Sequence, residues 1–463
     1  MPDFSPQSLL QVLQQYPNVQ RYWVAFSGGV DSSVLLHALV QLMPRLQAEE
    51  TPIEVRAIYI DHGLQAESFH PKGTSSGILP HSLSAQWANH CRAVCDEYGI
   101  DFVGMNADLS LNKGDSVEEK ARESRYLLLA SQLAEHDILL TAQHKDDQAE
   151  TFLLQALRGA GPKGLASMPE IKAFAKGRHM RPLLGFSKQD LVNYATAEGL
   201  SWVEDPSNQQ LRFQRNYLRQ KILPLLKQNW PAASETLSRS AAYCAESASL
   251  LQQLASIDMV TVAGSDNTLS RVALNNLSHQ RRANLIRYWL AELALRAPNH
   301  QRLEQMINQL ETSAQDRSPF IVWRGVEIRC YRDKVYAMAP LVLTDETKVF
   351  SLQLRGQTNE TFKLDDGELH AYQTNGNGLR IADNTQIEVR FRQGGERCQP
   401  AGQAHSRELK TLFQEWAIPH WLRGRIPLIY VDGKLAAIAG LCICQPFVAS
   451  DGELSWQFDW HSD

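Results

Sequence analysis

No stretch of the sequence holds the roughly 18–20 consecutive apolar residues that a membrane-spanning helix requires. The first residues, MPDFSPQSLLQVLQQYPNVQ, lack a basic patch followed by an apolar core, so they do not read as a secretory signal. A cytoplasmic protein with no membrane partner is expected. Cysteine is sparse, with seven residues scattered over 463. That is too few for a disulfide framework. No C-x-x-C occurs: three residues separate Cys91 from Cys95, and one separates Cys442 from Cys444. These spacings argue against zinc and iron–sulfur sites and for buried, reduced thiols. A basic excess is missing as well. The formal net charge is −5, so the whole chain is not a generic polyanion binder. The G-x-x-x-x-G-K-[ST] phosphate loop is also absent, which excludes a Walker-type nucleotidase.

What is present is ordinary globular composition, 43% hydrophobic and 21% charged, in a length that suits two to four domains. The first part alternates apolar strand-like runs with helical patterns. YWVAF, VRAIYI, IDFVGMNA and DILLTAQH read as strands. Helical segments follow each of them, the clearest being Ala85–Tyr98 and the run from Ser116 to His136. Alternation of this kind predicts an α/β fold with a doubly wound parallel sheet, whose ligands bind beyond the carboxyl ends of the strands. A Gly/Pro/Ser-rich piece, Ser68–Ser82, reads as a loop. From about Arg219 to Leu310 the pattern is helical. From Phe320 onward short strands return, with VDGK between two apolar runs as a hairpin signal.

Two places carry the chemistry. In WVAFSGGVDSSVLLHAL an apolar run meets Ser27, Gly28, Gly29, Val30, Asp31, Ser32 and Ser33 before a helical pattern. Backbone N–H groups at a helix N-terminus bind anions, and glycines let a phosphate approach closely. Asp31 is out of place beside an anion unless a cation lies between, and a shared Mg²⁺ would resolve this. A simple capped turn is the plain alternative. The second place is TAQHKDDQAET, which puts His144, Asp147 and Glu150 at i, i+3 and i+6 of a helix start. Two carboxylates on one face make a divalent-metal site or an acid/base pair. Acids serving a helix dipole would explain Asp146 and Asp147, and would explain His144 and Glu150 poorly.

Two more stretches are basic. EEKARESRY carries Arg122 and Arg125, by default on a solvated helix face. EDPSNQQLRFQRNYLRQKILPLL carries Arg215, Asn216 and Arg219 at i, i+1 and i+4. These arginines suit a phosphate or nucleotide clamp, or plain salt bridges to Glu204 or Asp205. Between Arg158 and Lys227 twelve Lys/Arg stand against five acids, a local basic stretch on an acidic chain. GAGPKG (159–164) matches G-x-G-x-x-G but follows a helical pattern instead of a strand, so no dinucleotide site is expected.

In order, S-G-G-V-D-S, E-x-x-A-R-x-x-R-Y, H-K-D-D-Q-x-E-T and E-D-x-S-N…R-N-x-x-R resemble the tRNA(Ile)-lysidine synthetase family of PP-loop (N-type) ATP pyrophosphatases, in its longer bacterial form. RGAGPKGLASM, RPLL and the C-terminal FRQGGERCQPAG…LKTLFQEW…IPLIYVDGKLAAIAG belong to the same resemblance. The Ser68–Ser82 loop looks longer than is usual there. The resemblance implies a PP-loop catalytic domain over 1–218, a mainly helical substrate- and tRNA-binding domain over 219–345, and a mixed α/β tRNA-binding domain over 346–463. It implies that ATP adenylates O2 of the wobble cytidine in the CAU-anticodon isoleucine tRNA, releasing pyrophosphate. The amine of free L-lysine then attacks C2 and displaces AMP, leaving lysidine. Residues 27–33 would hold the phosphates. Asp31, Asp147 and Glu150 would bind Mg²⁺ or handle the lysine amine, with Asp31 and Asp147 the metal candidates. Arg122 and Arg215 would stabilise phosphate charge or hold the cytidine, and His144 and Arg219 are further candidates. The oligomeric state stays open, a homodimer being one expectation. Rival readings are a PP-loop tRNA thiolase, which commonly uses cysteines not seen here, a small-molecule amide ligase, and a non-catalytic tRNA-binding protein.

Overall fold

The computed structural model describes residues 4–48, 52–61, 81–107, 117–312, 319–341, 345, 347–354, 358–382 and 385–462. The chain divides into two compact units, 1–253 and 254–463, with the division inside one long helix, 233–262.

In the first unit the apolar runs become strands β1 (Arg21–Ala25), β2 (Glu54–Asp61), β3 (Asp101–Asn106) and β4 (Asp137–Leu140), joined by β5 (Ile171–Phe174) and β6 (Gly177–Met180). Their order is β3-β2-β1-β4-β6-β5. Every neighbouring pair is parallel except β5 with β6. Alternation along the strands sends side chains to two covered faces. Val24, Ala57, Ile138 and Leu140 are buried in one cluster, whereas Trp23, Ile58, Ile60 and Leu139 are buried in another. The doubly wound sheet is therefore as expected, with one addition: the antiparallel β5–β6 hairpin on its edge was not foreseen.

Helices cover both faces: α1 (Pro6–Leu13), α2 (Val30–Leu46), α3 (His81–Tyr98), α4 (Val117–Gln132), α5 (Lys145–Leu157), the short α6 (Pro162–Leu165) and α7 (Lys188–Ala197). Leu9 and Leu10 of α1, Leu35 and Leu39 of α2, Cys91 and Cys95 of α3, and Leu191 and Ala195 of α7 fill the first cluster. Leu129 of α4 and Leu133 just beyond it fill the second. Burial pushes the Cys91 and Cys95 thiols up to about 12, so both stay protonated. The helix starts are chemically marked. Ser5 with Ser8, His144 with Asp147, and Ser187 with Asp190 each form a reciprocal capping box. Helix α3 begins at His81, so the last two residues of the expected 68–82 loop are helical; residues 62–80 lie outside the described residues.

The apolar pattern after Arg215 is not one regular helix. It runs as α8 (Gln214–Tyr217), a π turn at Leu218–Ile222, and α9 (Leu223–Asn229). Pro224 supplies the reason, since it has no N–H to donate to the preceding turn, and the chain relaxes by widening. The long helix α10 (Ala233–Val262) follows.

The second unit contains helices Arg271–Asn275, His279–Glu292 and His300–Thr312 beside an antiparallel sheet of Leu269–Ser270, Phe320–Trp323, Val326–Tyr331 and Lys334–Met338. A five-stranded and a three-stranded sheet follow, both antiparallel throughout. The VDGK hairpin joins Leu428–Val431 to Lys434–Ile438. Asp432 and Gly433 both have positive φ, 48° and 76°, as a primed turn requires. Cys444 is buried as expected, but Cys442 and Cys244 are only partly so. The sequence did not suggest that Cys398 lies 2.7 Å from Cys444 and 3.8 Å from Cys442, Sγ to Sγ.

Candidate active site

Strand β1 is where the winding direction reverses: β2 lies on one side of it and β4 on the other. The loops leaving the carboxyl ends of β1 and β4 therefore open toward each other, forming the crevice such sheets use for ligands. Residues 26–29 leave β1, and residues 141–144 leave β4.

The first loop presents backbone donors. Gly28 has φ +79°, and a Cβ there would meet Val203 Cγ2 at 2.9 Å and Cys91 Sγ at 3.0 Å. Its carbonyl also accepts from the Val203 amide at 2.9 Å, which pins the turn to the strand-end region. Gly29 is different. Its φ of −76° is ordinary, so no unusual conformation demands glycine there and only close approach is left as its use. Gly29 is the N-cap of α2, and among the described residues no side chain caps that helix. Its first amides are thus left for a ligand. The Ser32 hydroxyl donates to the Gly29 carbonyl (2.9 Å) and lies 3.2 Å from Ser27 Oγ. Among the described residues, the buried Ser33 Oγ has no hydrogen-bond partner. A buried hydroxyl beside an uncapped helix start adds a donor to those amides.

The second loop brings acids. His144 is the N-cap of α5, its Nδ1 accepting from the Asp147 amide (3.4 Å) while Asp147 Oδ2 accepts from the His144 amide (3.0 Å). Capping therefore explains His144 well, which corrects the expectation from its spacing. Its Nε2 lies 3.4 Å from Asp147 Oδ2 and 3.8 Å from Asp31 Oδ2, so the imidazole stands between the two loops.

Each carboxylate is met by a cation. Lys188, the first residue of α7, places Nζ 2.7 and 2.8 Å from the two oxygens of Asp31. Arg219 donates to Asp147 at 2.7 Å and to both oxygens of Glu150 at 2.6 and 3.0 Å. Arg215 Nε donates to Glu150 at 3.1 Å and Nη2 to Thr151 Oγ1 at 2.7 Å. The salt bridges suggested to Glu204 or Asp205 are replaced by these. Glu150 has no exposed surface. Burial pushes its carboxyl above the ordinary value, against the pull of Arg219 and Arg215. Asp146 has different partners. It accepts from the Lys188 amide (2.9 Å), Lys227 Nζ (2.5 Å) and Ser234 Oγ (2.7 Å). Burial would raise it, but these donors hold it down at about 2. It is a strut between α5, α7, α9 and α10 and does more than serve the helix dipole.

A cavity of about 210 Å³ opens here, lined by His144, Asp146, Glu150, Lys188, Arg219, Leu223, Pro224 and Lys227. The structure thus brings Asp31, His144, Asp147, Glu150, Arg215 and Arg219 together. Arg122 does not join them: its guanidinium lies over the Tyr126 ring at 5.0 Å, and it pairs with no acid among the described residues. Lys188, Lys227 and Ser234 were missed, since nothing in their sequence neighbourhood marks them. Other motif residues are structural. Gln148 exchanges two hydrogen bonds with the Met168 backbone, and Arg181 donates to the Pro169 carbonyl.

Three family profiles match the chain: a PP-loop domain over residues 4–226, a TilS substrate binding domain over 269–336, and a TilS substrate C-terminal domain over 387–460. The chain is similar to a tRNA(Ile)-lysidine synthase of Coxiella burnetii, 40% identical over 457 residues that cover 98% of this chain and 96% of the relative. A tRNA(Ile)-lysidine synthase of Methylococcus capsulatus is 40% identical over 423 residues, covering 90% and 91%. One of Photobacterium profundum is 36% identical over 449 residues, covering 96% and 97%.

Proposed function

The chain belongs to the tRNA(Ile)-lysidine synthase family, and on that premise we propose how its own residues ligate L-lysine to C2 of the wobble cytidine in the CAU-anticodon isoleucine tRNA. The observation that carries the reading is the meeting, at the β1 and β4 strand ends, of an uncapped anion-binding turn with Asp31, Asp147 and Glu150.

The cytosine O2 is a poor leaving group. Attack of O2 on the α-phosphate of ATP breaks the α–β bond, releases pyrophosphate and turns O2 into part of AMP. The α2 amides, Ser27, Ser32 and Ser33 hold the pyrophosphate portion. Lys188 adds the cation that the turn itself lacks. Mg²⁺ fits the hard oxygen donors here, because it takes one or two carboxylates together with substrate phosphates and needs no complete protein cage. Asp31, with Asp147 in reach, would hold it, and it would neutralise phosphate charge.

In the second half the lysine amine adds to C2, and the C2–O bond to AMP breaks. The amine arrives protonated and must lose that proton first. Glu150 suits this task because burial raises its affinity for a proton. Its oxygens are released when Arg215 or Arg219 turns to the phosphate or the cytidine. Binding both substrates in one crevice removes the entropic cost of their encounter. The basic 158–227 stretch supports tRNA as the partner. We also propose a catalytic part over 1–218, a substrate- and tRNA-binding part over 219–345 whose first residues Arg219 and Lys227 reach into the catalytic crevice, and a tRNA-binding part over 346–463, with a homodimer and a cytoplasmic setting as further expectations. No helix among the described residues is long and apolar enough to cross a membrane.

The direct test mixes the protein with ATP, Mg²⁺, labelled L-lysine and the CAU-anticodon tRNA. Folded wild-type protein that incorporates no lysine refutes the reading. Asp31→Ala and Glu150→Ala each lose incorporation while keeping a cooperative melt; normal activity in either variant removes that residue from the site.

A further inference from the structure

A second cavity, of about 220 Å³, lies on the other side of Arg215 and is lined by Leu154, Arg158, Arg212, Phe213, Gln214 and Arg215. We propose that it is the seat for a backbone phosphate of the single-stranded anticodon loop, an inference that rests on the tRNA reading above.

Three guanidiniums converge on one small open cavity. Their planar forks suit a phosphodiester, which accepts two parallel hydrogen bonds. Two of the three are not neutralised. Among the described residues, neither Arg158 nor Arg212 has an acidic partner. Arg158 has only a long contact to the neutral Gln214 side chain (3.4 Å), and Arg212 lies over the Phe213 ring at 4.7 Å. Both are exposed. Uncompensated like charges so close together repel each other, so an anion between them relieves a cost already present in the free protein. Exposed Leu157 and Tyr217 flank the same helices, and apolar and aromatic surface beside arginines is what unstacked bases pack against.

The position matters as much as the charge. Arg215 walls this cavity and also donates to Glu150, which lines the inner cavity. One guanidinium therefore separates the two. A nucleotide whose phosphate rests outside can direct its base inward past Arg215, as a base taken out of its stack requires. None of the lining residues belongs to the Ser27–Ser33 turn, so this seat is separate from the one for ATP phosphates.

The test measures tRNA binding to the full-length chain across a potassium chloride series, for wild type, Arg158→Ala, Arg212→Ala and the charge-keeping Arg158→Lys. Each phosphate contact on a single strand contributes a salt slope of about 0.7, so losing one near 0.1 M salt costs about fivefold in affinity. Each alanine variant shows that loss and a slope shallower by about 0.7. Because both arginines hold the same phosphate, an Arg158→Ala/Arg212→Ala double variant loses no more than about the same fivefold, and Arg158→Lys keeps most of the binding. Non-cognate tRNA suffers equally, since the backbone carries no sequence. ATP affinity is unchanged, and saturating tRNA restores lysine incorporation. Unchanged tRNA affinity and slope in both alanine variants, with wild type binding and ligating normally, overturns the seat while leaving the function intact. Loss of ATP affinity instead, or weakened inorganic-phosphate binding with tRNA binding intact, overturns it in favour of a small-anion site. A folded wild type that neither binds nor modifies the tRNA refutes the function and the seat together.

Discussion

Replacing Lys188 by alanine separates two roles that its ammonium could have at the phosphate turn. In the free protein Lys188 Nζ sits 2.7 and 2.8 Å from the Asp31 oxygens, yet the lysine side chain is 41% exposed and the aspartate 28%. A pair that open to water contributes less than about 1 kcal/mol to stability, so the melting midpoint of Lys188→Ala shifts by a few degrees at most. The effect on ATP is larger. A hydrogen bond between charged groups is worth roughly 1.5–3 kcal/mol, which is a 10- to 150-fold loss in affinity. AMP lacks the β- and γ-phosphates and keeps its affinity. Calorimetric titration of both nucleotides into wild type and variant gives the comparison. Screening offers another explanation: without Lys188, Asp31 simply repels ATP. Repeating the substitution in an Asp31→Asn background decides between them. A lysine that touches phosphate costs as much there as in wild type. An equal loss for ATP and AMP, or a loss that vanishes with Asp31→Asn, refutes a direct contact.

Gly28→Ala forces a side chain into φ +79° and against Val203 Cγ2 at 2.9 Å; a destabilisation of about 1–3 kcal/mol, read from urea unfolding, accompanies weaker ATP binding. The corresponding Gly29→Ala, at φ −76°, is milder on both counts. The Asp146 carboxyl is held at about 2 instead of 3.8, so its contribution is complete above about pH 4 and is lost as pH falls through about 2. That contribution is roughly 2 kcal/mol, and Asp146→Asn flattens the acid-unfolding curve in this window. Burial, followed by the charge of Arg181, pushes His179 down to about 3 from 6.5. Its neutral form therefore favours folding fully above about pH 6.5 and progressively less as pH drops toward 3, and His179→Asn removes this dependence from thermal midpoints measured across that range.

The strands nearest the site were readable because each is a continuous apolar run with a polar break at its carboxyl end. The Ser27–Ser33 turn was readable for the same reason, as a sharp change from apolar to small and polar. The β5–β6 hairpin was not, since IKAF and GRHM are four residues each and mix apolar with cationic side chains. The burial of His179 and Met180 comes from the sheet they join instead of from their own pattern. The partners of Arg215 and Arg219 were sought nearby, at Glu204 and Asp205, and found more than sixty positions back. Charge complementarity carries no range in a sequence; only the fold says which opposite charges meet. Lys188 stands 157 positions from Asp31, and its neighbours mark a helix start and nothing else. His144 shows the converse, where a residue suggestive of chemistry also does the ordinary work of a cap.

Asp146 and Asp147 are adjacent letters with separate employments. Asp147 accepts from Arg219 and is proposed to meet the substrates, whereas Asp146 ties α5 to Lys227 on α9, Ser234 on α10 and the Lys188 amide. In a growth assay, loss of either aspartate would look the same, and complementation would assign both to catalysis. Their routes to replacement differ. Asp146 can be exchanged by a compensating change at 227 or 234, because a strut needs only some matched pair. Asp147 has no such second-site remedy if it meets the substrate, since the substrate does not mutate. A suppressor screen would therefore divide the dipeptide where a deletion screen cannot.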